Sequence, residues 1–169
     1  QLTRVNFYNS ICQGVDRFTQ PLIAPFKSLP TLGTVNISVL ISGFVIQMIG
    51  SGFCFFLLGT LPEITQLFIW SLLSVIGVCL NLIFYSMLGM IILSWLAPNA
   101  SHPGAELLYQ LSEPFLAPFR KLIPNLGGLD LSPILLFIVI NILEATIVNG
   151  TAIKMGISSS MAQFFVGIG

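Results

Sequence analysis

The group with the most chemical potential in this chain is a carboxyl set among apolar residues. Glu144 is the sole charge in the run 131–149, Asn141 stands one helical turn before it, and Gln47 and Asn81 are carboxamides in two further runs without charge. An acid inside hydrocarbon is costly and by default marks a functional hypothesis. The four side chains are expected to meet as an interhelical hydrogen-bond cluster, with Glu144 protonated; a proton or ion pathway and an acid snorkelling to the surface are the two other readings. Other chemistry has little to work with. His102 is the single histidine, Cys12, Cys54 and Cys79 show no pair spacing, and no carboxylates cluster. That pattern supplies no metal-ligand set and no nucleophile beside a base, so neither an enzyme nor a cofactor or metal site is expected. The net charge of zero gives no field to attract nucleic acid.

Helices in lipid must position these groups. Of 169 residues 55% are hydrophobic and 7% charged, with a mean hydropathy of +0.96, against roughly 25% charged in soluble domains. Residues 37–59 and 64–97 contain no charge at all, and with 131–149 they make three candidate transmembrane helices. A bilayer core about 30 Å thick takes ~20 residues at ~1.5 Å each. The first and third runs fit directly; the second reads as one long tilted helix whose ends leave the hydrocarbon, with Trp95 and Tyr109 suited to an interface. Within the runs Gly43 and Gly50, Gly52 and Gly59, and on the long helix Ser71, Ser74, Gly77, Ser86 and Gly89 are sites for close helix contact.

One segment occurs twice. Residues 19–33 recur as 112–127 with Ile123 inserted, and eight of the fifteen aligned pairs are identical. The chain therefore reads as a duplicated helix–motif loop–helix hairpin, an all-α membrane protein with short interfacial helices. Its units are 1–60, the first repeat; 61–150, the second; and 151–169, a C-terminal interfacial tail. The alignment carried upstream pairs Gln1 with Ser94, at the end of a span, so ~25 apolar residues are expected before Gln1, making four spans in the natural protein against three here. Arg4, Arg17 and Lys27 lie in the first motif region and Arg120 and Lys121 in the second, while the link 60–63 holds no base. Both motif loops are therefore expected on the cytoplasmic side, with the C-terminus outside and Lys154 a mild objection.

Within each motif, prolines four apart, Pro21 and Pro25 or Pro114 and Pro118, are expected to end or kink the helix that enters, which in the second copy is an amphipathic helix over 101–112. One or two turns lead to Pro30 or Pro124, and Gly33 or Gly127–Gly128 supplies a turn. Asn36 and Asp130 stand at equivalent places as N-caps of the next span, with Ser132–Pro133 a second possible start. Arg120 and Lys121 are placed to meet anionic lipid, each worth about 1 kcal/mol there. A rigid connector and a platform for a partner or lipid are equal readings of this motif.

The residues Ile92-Leu-Ser-Trp95, Ser112-Glu-Pro114, Pro118-Phe-Arg-Lys-Leu-Ile-Pro124 and Gly127-Gly-Leu-Asp130-Leu-Ser-Pro133 resemble the YggT family of small membrane proteins, which includes bacterial YlmG proteins and plastid relatives. The match is full over 88–143; the first copy departs from it at Lys27-Ser28 and Asn36. The resemblance implies a multi-pass protein of the bacterial inner membrane, with a role in osmotic or extracytoplasmic stress tolerance or in membrane-protein assembly. The partners implied are the bilayer, anionic lipid, and a membrane protein or a second copy of the chain. A small ion or solute channel using Glu144, Asn141, Gln47 and Asn81 is the alternative.

Overall fold

Long apolar runs without proline or charge fold as unbroken helices, and in the computed structural model they set the architecture. The structure describes residues 8–28, 30–32, 35–59, 62–96, 102–122 and 130–154. Helix α1 is Ser10–Ile23, followed by a 3-10 turn at Ala24–Phe26; α2 is Ile37–Leu57, α3 Ile64–Leu96, α4 Pro103–Leu122 and α5 Ser132–Leu143. A π-helical segment, Glu144–Asn149, joins α5 to the short α6, Gly150–Lys154. A two-residue antiparallel ribbon, β1 (Thr31–Leu32) with β2 (Val35–Asn36), precedes α2 in the register Thr31–Asn36 and Leu32–Val35. The proline and glycine content of that stretch did not announce it.

Two helices, α2 and α3, are long and apolar enough to cross a membrane. Their lengths of 21 and 33 residues correspond to about 31 and 50 Å. Only 17% and 33% of their most apolar windows are buried within the chain. A soluble protein would hide such surface, so lipid or further protein must cover it. The third expected span departs from one regular helix: it starts at Ser132 but changes winding at Glu144, the residue that hydrocarbon tolerates least. Gly59, at φ +70°, closes α2 in the left-handed region and turns the chain toward α3.

Small residues set the helix contacts. Ser71, Ser74, Gly77 and Ser86 are buried on α3, Ser112 on α4 and Ser132 on α5. Ser71 and Ser86 donate to the carbonyls of Leu67 and Leu82 on their own helix, at 2.7 and 2.6 Å, so these hydroxyls enter apolar contacts already satisfied. A Cβ on Gly89 would stand 3.0 Å from Leu108 Cδ1, so α3 and α4 pack closely at this glycine and a side chain there would have to displace the end of Leu108. Gly52 lies against Leu67, whereas Gly43 and Gly50, also expected to be contact sites, face open space. Phe44 meets Phe68 edge-on between α2 and α3, at 5.0 Å between centroids. The core joins α3, α4 and α5: Met87, Leu116, Leu136 and Ile140 are buried together, with Ile83, Phe84 and Phe119 packed against them.

Candidate functional site: the proline motif and its ionic junction

The expectation was that the paired prolines end or kink the entering helix, and the second motif does not end it at either. Helix α4 runs through both Pro114 and Pro118 to Leu122. Each proline removes one helical hydrogen bond, but the two are one turn apart on an exposed face, where an unpaired carbonyl costs little. In the first motif Pro21 is inside α1, Pro25 lies in the 3-10 turn that replaces it, and Lys27 and Pro30 follow, exposed. Gly33, Pro124, Gly127 and Gly128 lie outside the described residues.

The α4 helix delivers Arg120, in its last turn, to a junction between two carboxylates. Its Nη1 donates to Glu113 Oε1 and Oε2 at 2.8 and 2.6 Å, and its Nε to Asp130 Oδ2 at 2.8 Å. Glu113 lies seven residues before Arg120, two turns back along one face. That spacing was readable, but only the amphipathic pattern had been drawn from it. Asp130 uses its other oxygen on the start of α5, accepting from Ser132 N at 2.9 Å and from the Ser132 hydroxyl. The cap position of α5 falls on Leu131, without a side-chain bond, rather than on Asp130 as expected; Asp130 instead accepts from the first residue of the helix, and one carboxylate ties the end of α4 to the start of α5. Arg120 is thus engaged within the chain rather than presented to lipid, while Lys121 is exposed without an ion pair among the described residues.

Burial alone would raise the Asp130 carboxyl, but the Ser132 hydroxyl and amide and the Arg120 guanidinium outweigh it and hold the acid below its ordinary 3.8. Burial likewise works against the Arg120 charge, and Asp130 and Glu113 more than compensate, raising it. The folded acid is the stronger one, so its stabilisation is complete above its ordinary value and is lost as pH falls through the lowered folded one. The groups are a third or more exposed, so solvent screening limits the charge contribution to about 0.5–1 kcal/mol. Asp130→Asn keeps an acceptor for the Ser132 amide but removes the charge. Melts of both proteins in detergent should differ by a few degrees at neutral pH, start to approach each other only near pH 3.8, and converge below the lowered folded value.

The first motif has the cap without the ions. Asn36 Oδ1 accepts from Ser38 N at 2.9 Å, as Asp130 does from Ser132. Gln20 and Lys27 stand where Glu113 and Arg120 do, yet Gln20 donates to Asp16 instead, and Lys27 makes no ion pair among the described residues. The two motif helices nevertheless meet. Asn9 caps α1 by accepting from Ile11 N at 3.0 Å, His102 Nδ1 accepts from Gly104 N at 3.1 Å at the start of α4, and Asn9 Nδ2 donates across to Pro103 O at 2.7 Å. The starts of helices α1 and α4 are therefore joined directly.

The four expected intramembrane polar residues are not joined in one cluster. Asn141 is exposed and donates to Phe137 O on its own helix, Asn81 donates to Gly77 O, and Gln47 is half-buried on α2. Glu144 is 8% exposed, at the first residue of the π-helical segment, and its carboxyl has no hydrogen-bond partner among the described residues.

A family model described as CCB3/YggT matches residues 69–151, the part of the chain that carries α3, α4, the ionic junction and α5. An uncharacterized Pseudomonas aeruginosa protein, PA0392, is 38% identical over 167 residues, 97% of this chain and 85% of its own length. The uncharacterized protein YggT of Escherichia coli is 35% identical over 155 residues, covering 89% of this chain and 80% of that protein. The chloroplastic YlmG homolog protein 2 of Arabidopsis thaliana is 49% identical over 51 residues, 30% of this chain and 20% of its own. No solved structure matches the chain.

Proposed function

The chain belongs to the CCB3/YggT family, and from that premise we propose that it is a non-enzymatic, multi-pass protein of the bacterial inner membrane that holds or assembles other membrane components at its two proline motifs. In this reading the chain is a duplicated helix–motif loop–helix hairpin, with units at 1–60 and 61–150 and a tail at 151–169. Three helices then cross the bilayer, the third built from α5, the π-helical segment and α6. The motifs face the cytoplasm, and the protein contributes to osmotic or extracytoplasmic stress tolerance or to membrane-protein assembly.

The observation that carries the proposal is the ionic junction. A guanidinium shared by Glu113 and Asp130 stiffens the α4–α5 elbow and leaves Lys121 and Leu122 pointing outward. A connector needs no outward residues, whereas a platform does. The contact to a partner or to anionic lipid is therefore assigned to Lys121 and, in the first motif, to Lys27, both exposed. The buried Glu144 at the change of helix winding favours a second reading, a small ion or solute channel. One experiment separates the two. A photocrosslinking residue at Lys121, activated in native membranes, is expected to give a discrete protein or lipid adduct that weakens in Asp130→Ala. No adduct, together with flux in proteoliposomes that Glu144→Gln abolishes, would replace the scaffold by the channel.

A further inference from the structure

The starts of α1 and α4 and the end of α3 enclose an open cleft of about 320 Å³. Ile11 lines it from α1, Leu93 from α3, and Gly104, Ala105 and Leu108 from α4, with His102 the polar side chain among them. The hydrogen bond from Asn9 Nδ2 to Pro103 O holds two of its walls together. Gly104 keeps it open, since a Cβ there would stand 3.2 Å from His102 Nδ1 and 3.7 Å from Ile11 Cδ1. A cavity of ~150 Å³ takes benzene, so this one has room for about a dozen carbon atoms.

Its depth and one proton select the occupant. With α3 centred in a bilayer core about 30 Å thick, roughly 10 Å of the helix extends beyond each side, which puts Leu93 about 5 Å outside the hydrocarbon. Trp95, 81% exposed, suits that level. An apolar cleft there is bordered by polar headgroups rather than by acyl chains, so burying carbon in it is favourable in a way that it is not along the middle of α3. His102 Nδ1 accepts from Gly104 N at 3.1 Å, which leaves the ring proton on Nε2 and makes that atom a donor. Glu106, one turn further along α4 and exposed, would repel an anionic head, so the acceptor that fits is uncharged.

We propose that this cleft is a lipid site: it takes the first part of one acyl chain of a glycerolipid, whose ester carbonyl accepts from His102 Nε2. The ester is where such a molecule joins an uncharged acceptor to a long apolar chain at the headgroup boundary. The proposal rests on the reading of α3 as a membrane span. It gives the protein one bound, saturable lipid, separate from the contacts assigned to Lys121 and Lys27.

The test titrates the purified, delipidated chain in detergent with a phosphatidylethanolamine that carries a diazirine on its acyl chain, and maps the adducts after illumination. The expected result is an adduct at Leu93 or Leu108 that saturates at one lipid per chain. Ala105→Phe fills the cleft and should abolish it. His102→Asp still caps α4 but offers no donor, so the apparent affinity should fall about fivefold, the worth of one hydrogen bond. His102→Asn both caps and donates, and should stay within about twofold. Labelling that never saturates, or that neither Ala105→Phe nor His102→Asp changes, would make this an ordinary lipid contact and overturn the proposal. A photocrosslinking residue at Ala105 that captures protein instead of lipid in native membranes would give the cleft to a partner and overturn it too. A spin label on Trp95→Cys in bilayers, in a background without Cys12, Cys54 and Cys79, tells the failures apart. At the headgroup level it leaves α3 a membrane span without the lipid site; in water it removes both.

Discussion

Leu116→Ala should be among the most damaging truncations at the described residues. Leu116 is fully buried where α4 meets Met87 of α3 and Leu136 and Ile140 of α5. Truncating a core leucine typically costs about 2–5 kcal/mol, as a transfer term plus a cavity term. For a protein in lipid the transfer term shrinks, because a separated helix would rest its leucine against acyl chains that are as apolar as the core. The cavity term persists, which puts the expected loss near about 2 kcal/mol. At ~2–4 °C per kcal/mol for a chain of this size, the melting point in detergent should fall by about 4–8 °C. Leu116→Met keeps the volume and should lose less than about 1.5 kcal/mol. Equal effects of the two substitutions would mean that this cluster does not hold the three helices together.

Asp130→Ala should come next, by a different mechanism. It removes the two hydrogen bonds that Asp130 accepts from Ser132, each worth about 0.5–1.5 kcal/mol net, and leaves Arg120 with Glu113 alone. With the screened ion pair added, the loss is about 2 kcal/mol. Asp130→Asn should recover most of it, since Asn36 accepts in the same way from the amide two residues on in the first unit. The effect should be local as well as global: a spin label at Lys121 is expected to gain mobility in Asp130→Ala and much less in Asp130→Asn. Unchanged mobility in both would remove the junction from the account of the motif.

The features legible in the sequence were those that depend on one helix at a time. The absence of charge over 64–97 is enough to specify α3, because no proline or charge in that run ends a helix and its few polar side chains are outweighed by apolar ones. Asn36 announced its cap through residue type and position alone, whereas α5 begins one residue later than the equivalent placing of Asp130 implies. Features that depend on two elements meeting were less accessible. The role of Arg120 depends on Asp130, ten residues on, lying beside it, so a cation at a helix end reads from sequence as a lipid contact. The prolines were read by their local cost, whereas packing of Leu116 and Phe119 on the opposite side of α4 carries the helix through them. Gly43 and Gly50 resembled contact sites but meet nothing within the chain, because small size permits an approach without specifying a partner. The π-helical winding that begins at Glu144 had no local signal, since no proline or glycine occurs between Ser132 and Asn149 apart from Pro133.

We place both proline motifs on one side of a membrane, in keeping with the bond by which Asn9 reaches Pro103. The direct measurement is labelling of single cysteines by an impermeant maleimide in oriented vesicles, at Ser28 and Lys121 in the two motifs and at Glu63 in the link before α3. The account predicts that Ser28→Cys and Lys121→Cys react from the cytoplasmic side and Glu63→Cys only from the other. Labelling of Ser28 and Lys121 from opposite sides, or of Glu63 from the cytoplasm, would contradict it.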